Sequence, residues 1–121
     1  MHPSTRLRPT ALLLALLTLL PQAASQKHVA PPSQPQPTPA QRLEAARQAV
    51  VAGNCAETMT TLDELTRQMP QSAEAFLLLG LCAAKQNIPE RAEIALSKAA
   101  SLEPDNPRPL EALGILRYAQ S

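Results

Sequence analysis

The sequence predicts an all-α fold of five short helices joined by tight turns, on the strength of three observations. Residues of like kind recur at a fixed offset of 34: Gly80 and Gly114, Pro70 and Pro104, Leu79 and Leu113, Leu62 and Leu96, Phe76 and Leu110. Such self-similarity is the mark of stacked repeats. Apolar residues between the turn signals are spaced three and four apart, as on one face of a helix. No stretch alternates apolar and polar residues in the way a half-buried strand requires.

The elements follow in order from Arg42. Residues 42–52 (RLEAARQAVVA) place Leu43, Ala46 and Val50 at helical spacing and stop at Gly53-Asn54. Thr58 to Met69 carries Met59, Leu62, Leu65 and Met69 and stops at Pro70. Ser72 caps a third helix that runs through Lys85, with Glu74 and Ala75 in its first turn. Pro89 opens a fourth helix, where a first-turn proline is tolerated; it runs through Ser101 and ends before Pro104. A fifth runs from about Pro107 to Ala119. Each helix pair has an apolar stripe that it cannot bury alone, so neighbours must stack. A glycine inside a helix costs about 1 kcal/mol relative to alanine. Gly80 and Gly114 are therefore expected where two helices approach closely, and small Ala83 and Ala92 serve the same end.

The chain before these helices is of another kind. Eight of the 13 prolines lie in the first 39 of 121 positions. Residues 1–25 read as a secretory signal peptide: Arg6 and Arg8 form a positive start, Ala11 to Leu20 (ALLLALLTLL) an apolar run, and Pro21 opens a polar end. Small Ala23 and Ser25 suit cleavage before Gln26. The run of ten is about half of the roughly 20 residues that span a bilayer. No cysteine follows it, which argues against a lipoprotein leader. Residues 26–40 (QKHVAPPSQPQPTPA) are proline-rich with almost no large apolar side chain, which predicts an extended, disordered tether. Fifteen residues at about 3.1 Å each reach roughly 45 Å. Residues 41–121 remain to fold. A domain of that size buries only about 60% of its unfolded surface and is marginal without help.

Composition narrows function. The chain has no Trp, one Phe (Phe76) and one Tyr (Tyr118), and both histidines, His2 and His28, precede the helices. A catalytic histidine, a histidine-bound metal and an aromatic platform for bases are thereby excluded from the helical part. Net charge is +1, from 11 basic and 10 acidic residues; without Arg6 and Arg8 it is 9 − 10 = −1. That balance offers no patch for nucleic acid. No CxxC, phosphate-loop or zinc-protease spacing occurs, and Glu44, Glu57, Asp63, Glu64, Glu90, Glu93 and Glu111 read as solvated helix faces and helix-end charges. The chain is expected to be no enzyme and to need no cofactor or metal. The three asparagines of the helical part, in Asn54-Cys-Ala, Asn87-Ile-Pro and Asn106-Pro-Arg, make no glycosylation sequon. This favours a bacterial periplasm, with the extracellular space next.

Cys55 lies at the start of the second helix and Cys82 in the later half of the third. Consecutive antiparallel helices bring the start of one beside the end of the next, within reach of a disulfide. Export supplies an oxidising compartment. The alternative is two buried thiols acting as small hydrophobes.

Residues Ala73 to Asn106 resemble a tetratricopeptide repeat (TPR): Phe76, Leu79-Gly80 and Ala83 on the first helix, Ala92, Leu96 and Ala99 on the second, then Pro104 as the stop. The block 39–72 is a weaker copy, keeping Gly53, Leu62, Leu65 and Pro70 while Arg42, Ala46 and Thr58 depart from the pattern as a capping repeat would. The block 107–121 supplies Leu110, Leu113 and Gly114 and one helix. The resemblance implies about two helix-turn-helix repeats plus a C-terminal capping helix, wound as a right-handed superhelical solenoid. It also implies a concave wall built from the first helix of each pair. Leu43, Arg47 and Val50, then Leu77, Leu81 and Ala84, then Arg108, Glu111, Ile115 and Tyr118 would face that groove. Phe76, Leu78 and Leu79 would belong to the core. Leu43, Leu78 and Ala112 stand where the family's clamp for acidic peptide tails needs polar and basic residues, so no such clamp is expected. An amphipathic helix or apolar peptide fits the groove better, in a protein-protein interaction module acting as adaptor or scaffold. Apolar residues left exposed, Leu77 with Leu81 or Ile115 with Tyr118, would instead make a self-associating homodimer.

Overall fold

The computed structural model describes residues 34–121. The expected signal peptide, residues 1–25, and most of the expected tether, residues 26–40, lie outside the described residues. Among the described residues there are five α-helices: α1 Pro39–Val51, α2 Cys55–Gln68, α3 Ala73–Lys85, α4 Pro89–Leu102 and α5 Pro107–Gln120. No strand occurs among the described residues. Residues Gln36–Ser121 form one compact unit.

The 34-residue period is structural as well as sequential. Helices α1, α3 and α5 begin at Pro39, Ala73 and Pro107, and α2 and α4 at Cys55 and Pro89, each 34 residues after its counterpart. The caps repeat too: Thr38, Ser72 and Asn106 each accept a hydrogen bond from a first-turn backbone N–H, donated by Gln41, Ala75 and Arg108 at 3.2, 3.2 and 3.1 Å. The turn inside each pair is made by Gly53 (φ 91°) and Asn87 (φ 62°), again 34 apart and both left-handed. Glycine adopts that conformation freely, and asparagine is the side chain that tolerates it best.

Helix α1 starts three residues before the position expected from its apolar spacing. Thr38 and Gln41 form a reciprocal capping box, in which the Thr38 N–H also donates to Gln41 Oε1 at 2.9 Å, and Pro39 takes the first helical position. The last residues assigned to the tether, Pro39 and Ala40, therefore belong to the helical unit. Elsewhere the ends fall within a few residues of expectation, with Glu57, Glu74 and Glu90 in first turns and Arg67, Lys85 and Arg117 in last turns, as the helix dipole favours.

Each helix packs on the next, and in addition α1 approaches α3 and α3 approaches α5, whereas the backbones of α2 and α4 stay apart and the two are joined by the Arg91–Asp63 ion pair. The odd helices thus lie side by side along one face. The core between the layers is aliphatic: Leu62, Leu65, Leu96, Ala75, Ala83, Ala92 and Ala99 have no exposed surface, and Leu78, Leu79 and Leu113 are buried beside them. Phe76 is half-buried against this core. Pro70 and Pro104 sit exposed past the ends of α2 and α4. The buried hydroxyls of Thr58 and Thr66 donate back to the carbonyls of Asn54 and Asp63 at 2.6 and 2.9 Å, so neither is left without a partner.

Gly80 meets the expectation of close approach, for a Cβ placed there would stand 2.6 Å from Leu96 Cγ and 3.2 Å from the Leu96 backbone nitrogen. Gly114 does not. Nothing lies within 4 Å of its would-be Cβ, and Leu110 on the same side of α5 is 56% exposed. The second helix that covers the equivalent face of α3 has no counterpart against α5 among the described residues.

Cys55 and Cys82 are joined in a disulfide with a Cα–Cα distance of 5.1 Å. Both are buried, and the bridge ties the first turn of α2 to the last third of α3. The geometry follows from the antiparallel hairpin that these helices make.

Candidate functional site

Among the described residues four ion pairs tie one helix to another on the outside, and a fifth lies within α1. Arg42 of α1 reaches Glu64 of α2 at 2.6 Å, and Arg47 of α1 holds Glu74 of α3 with two donors, at 2.5 and 2.6 Å, while also meeting Glu44. Arg91 of α4 pairs with Asp63 of α2, and Arg117 of α5 with Glu93 of α4 at 3.0 Å. The hydrogen bond to Glu74, aided by the charges of Glu74 and Glu44, holds the Arg47 guanidinium above its ordinary pKa. Arg47 is therefore committed to its own chain.

The ten residues expected on the groove wall divide into three groups. Leu43 and Leu77 are buried in the core, Leu77 at 4% exposure, and neither presents a surface to a ligand. Leu77 lies one turn before Leu81 on α3 and is enclosed in the core cluster. Val50, Leu81 and Ala84 are half-buried at the edge of the core. Arg108, Glu111, Ile115 and Tyr118 are exposed, Ile115 at 72% and Tyr118 at 84%.

Three of these residues meet in one place. Leu81 and Ala84 of α3 and Ile115 of α5, with Ala112, Leu116 and Ala119 of α5 and Leu96 of α4 as floor, line a hollow of about 260 Å³. Every lining residue is apolar. The volume is below the roughly 300–1,000 Å³ of small-molecule pockets and suits one large apolar side chain. Two alanine methyls of α5 and one of α3 create the space, because a longer side chain at Ala84, Ala112 or Ala119 would fill it. Leu96, Ala112, Leu116 and Ala119 were outside the expected wall. In the sequence Leu96 stands out only as a repeat-signature residue and Ala112 only as a departure from the acidic-tail clamp, while Leu116 and Ala119 carry no signal, and only the spacing of α3 and α5 turns the four into a lining.

A second, more open concavity of about 440 Å³ lies between α1 and α2, lined by Ala45, Ala46 and Ala49 on one side and by Arg42, Asn54, Glu57, Thr58 and Thr61 on the other. Its polar side is in part spoken for, since Arg42 pairs with Glu64 and the Thr58 hydroxyl bonds the Asn54 carbonyl.

Among the described residues no group of three or more His, Cys, Asp or Glu side chains is placed to hold a metal, and no helix is long and apolar enough to cross a membrane. No family model matches the chain, and no curated protein matches it.

Proposed function

We propose that this chain is a non-catalytic, exported adaptor of the tetratricopeptide-repeat type, which takes an apolar side chain of a protein partner into the hollow between α3 and α5. The observation that carries the proposal is that hollow: seven apolar residues, no polar one, and at its rim Ile115, a large hydrophobe exposed at 72%. An amphipathic helix laid along the odd-numbered helices would set one anchor residue there and cover Ile115. The 34-residue period of caps, turns and helix starts supports the repeat assignment. Export is supported by the leader pattern and by the disulfide, since such bonds persist in oxidising compartments and are rare in the cytosol. With the tether behind it, the helical unit would be held at the end of a spacer, as suits a scaffold of a bacterial envelope.

The test is affinity capture from envelope extract with three baits, namely the unaltered chain, Ile115→Asp and Leu81→Arg, each checked for helical circular dichroism. A partner retained by the first and lost with both folded variants supports the groove. The same proteins on all three baits would refute it.

A further inference from the structure

The Cys55–Cys82 bond lies at the centre of the helical unit, where it ties the first residue of α2 to the last third of α3. Cys55 is 1% exposed and Cys82 0%. Both belong to one buried core cluster with Met59, Leu62, Leu78 and Leu79. At the equivalent positions of the next repeat stand Pro89 and Leu116, so the junction of α4 with α5 carries no such tie.

Thiol–disulfide exchange requires a thiolate to reach one sulfur of the pair. A cysteine with no exposed surface gives it no approach while the helices are closed. The irregular chain next to Cys55 is pinned: the Asn54 N–H donates to the Ala49 carbonyl at 2.9 Å, and the Asn54 carbonyl accepts from the Thr58 N–H and hydroxyl at 3.2 and 2.6 Å. Helix α2 is also packed on α1, and α3 on α4, with α1 and α5 approaching α3. Uncovering the bond therefore means loosening most of the helical unit.

We infer that the bond is a latch: it is made while α2 and α3 are open, by exchange with a disulfide-bearing oxidant, and the closed fold then keeps dissolved thiols away from it. In the making, the two cysteine thiols lose two protons and two electrons and become one disulfide, while the disulfide of the oxidant becomes two thiols. In the breaking, a thiolate attacks one sulfur and the other leaves as a thiolate. A second thiolate of the reagent then displaces the protein from the mixed disulfide, which leaves two cysteine thiols on the chain and one disulfide in the reagent. Both directions pass through the same opened state. The folded chain keeps its bond in a reducing medium for as long as it stays closed, whereas a chain caught reduced lacks much of the stability that closes it. Exposed disulfides, which dissolved thiols reach in the folded state, behave in the opposite way and serve as switches. None of this depends on what the hollow binds.

Reduction of the oxidised chain by dithiothreitol, quenched by alkylation at intervals and read by mass spectrometry, tests the latch. In buffer the bond is lost about 10³-fold or more slowly than in concentrated urea, because the opened chain is that rare. Through sub-denaturing urea the logarithm of the rate rises linearly, with the slope of global unfolding measured by circular dichroism on the same oxidised chain. Leu96→Val, on α4 and outside the bonded pair, speeds reduction by the factor by which it lowers the folding equilibrium constant. A rate in buffer within about tenfold of that in concentrated urea would overturn the proposal. So would a rate that ignores sub-denaturing urea or rises with a much shallower slope, since the bond would then be reached by local opening. A Leu96→Val chain that unfolds more readily yet is reduced no faster would overturn it as well.

Discussion

Breaking the Cys55–Cys82 bridge should cost this protein much of its stability. The bonded residues are 27 apart in sequence. In the chain-entropy account, closing a loop of that length restricts the unfolded chain by about 12 cal/mol/K, or about 3.5 kcal/mol at room temperature. A domain of this size has a total stability of roughly 4–13 kcal/mol. At about 4–8 °C per kcal/mol the loss of about 3.5 kcal/mol corresponds to a melting point lower by roughly 14–28 °C. The assay is thermal unfolding followed by circular dichroism on three samples: the oxidised chain, the chain reduced in denaturant and refolded in reductant, and Cys55→Ala/Cys82→Ala in both buffers. Alanine is preferred to serine because both sites are buried, and a hydroxyl placed there would add a desolvation cost unrelated to the bond. The oxidised wild type should melt well above the other samples, and the double variant should ignore the reductant. Equal melting of oxidised and reduced wild type would refute the reasoning.

Further outcomes follow from the packing. Gly80→Ala should destabilise by about 1–3 kcal/mol, because Leu96 at 2.6 Å is itself enclosed and has nowhere to move, while Gly114→Ala, measured in dilute solution by urea unfolding, should stabilise by up to about 1 kcal/mol. Leu96→Ala and Leu62→Ala, equivalent positions in the two repeats with no exposed surface, should each cost about 2–5 kcal/mol in the same assay. Thr38→Ala removes one half of the capping box and should cost about 1 kcal/mol, with faster amide exchange confined to the first turn of α1.

The sequence alone determined the helices and their period. Proline and glycine stops, cap residues and three-four spacing are local signals, and local signals survive without knowledge of the neighbours; this is why α3, α4 and α5 begin and end within a residue or so of expectation. The start of α1 was also legible, since Thr38 lies 34 residues before Ser72 and has Gln41 three residues on, but the prolines around it read as tether. The tertiary structure decided what depends on distance between helices. That Cys55 and Cys82 bond rather than remain thiols rests on a 5.1 Å approach that spacing allows but does not require. Leu77 and Leu81 look alike in the sequence, yet one turn apart on α3 the first is enclosed in the core and the second lines the hollow. Gly80 and Gly114 look alike too, and only their surroundings among the described residues, Leu96 against the first and open space at the second, tell a close contact from an open face. Burial belongs to pairs of elements, and a periodic sequence repeats its residues without repeating their neighbours.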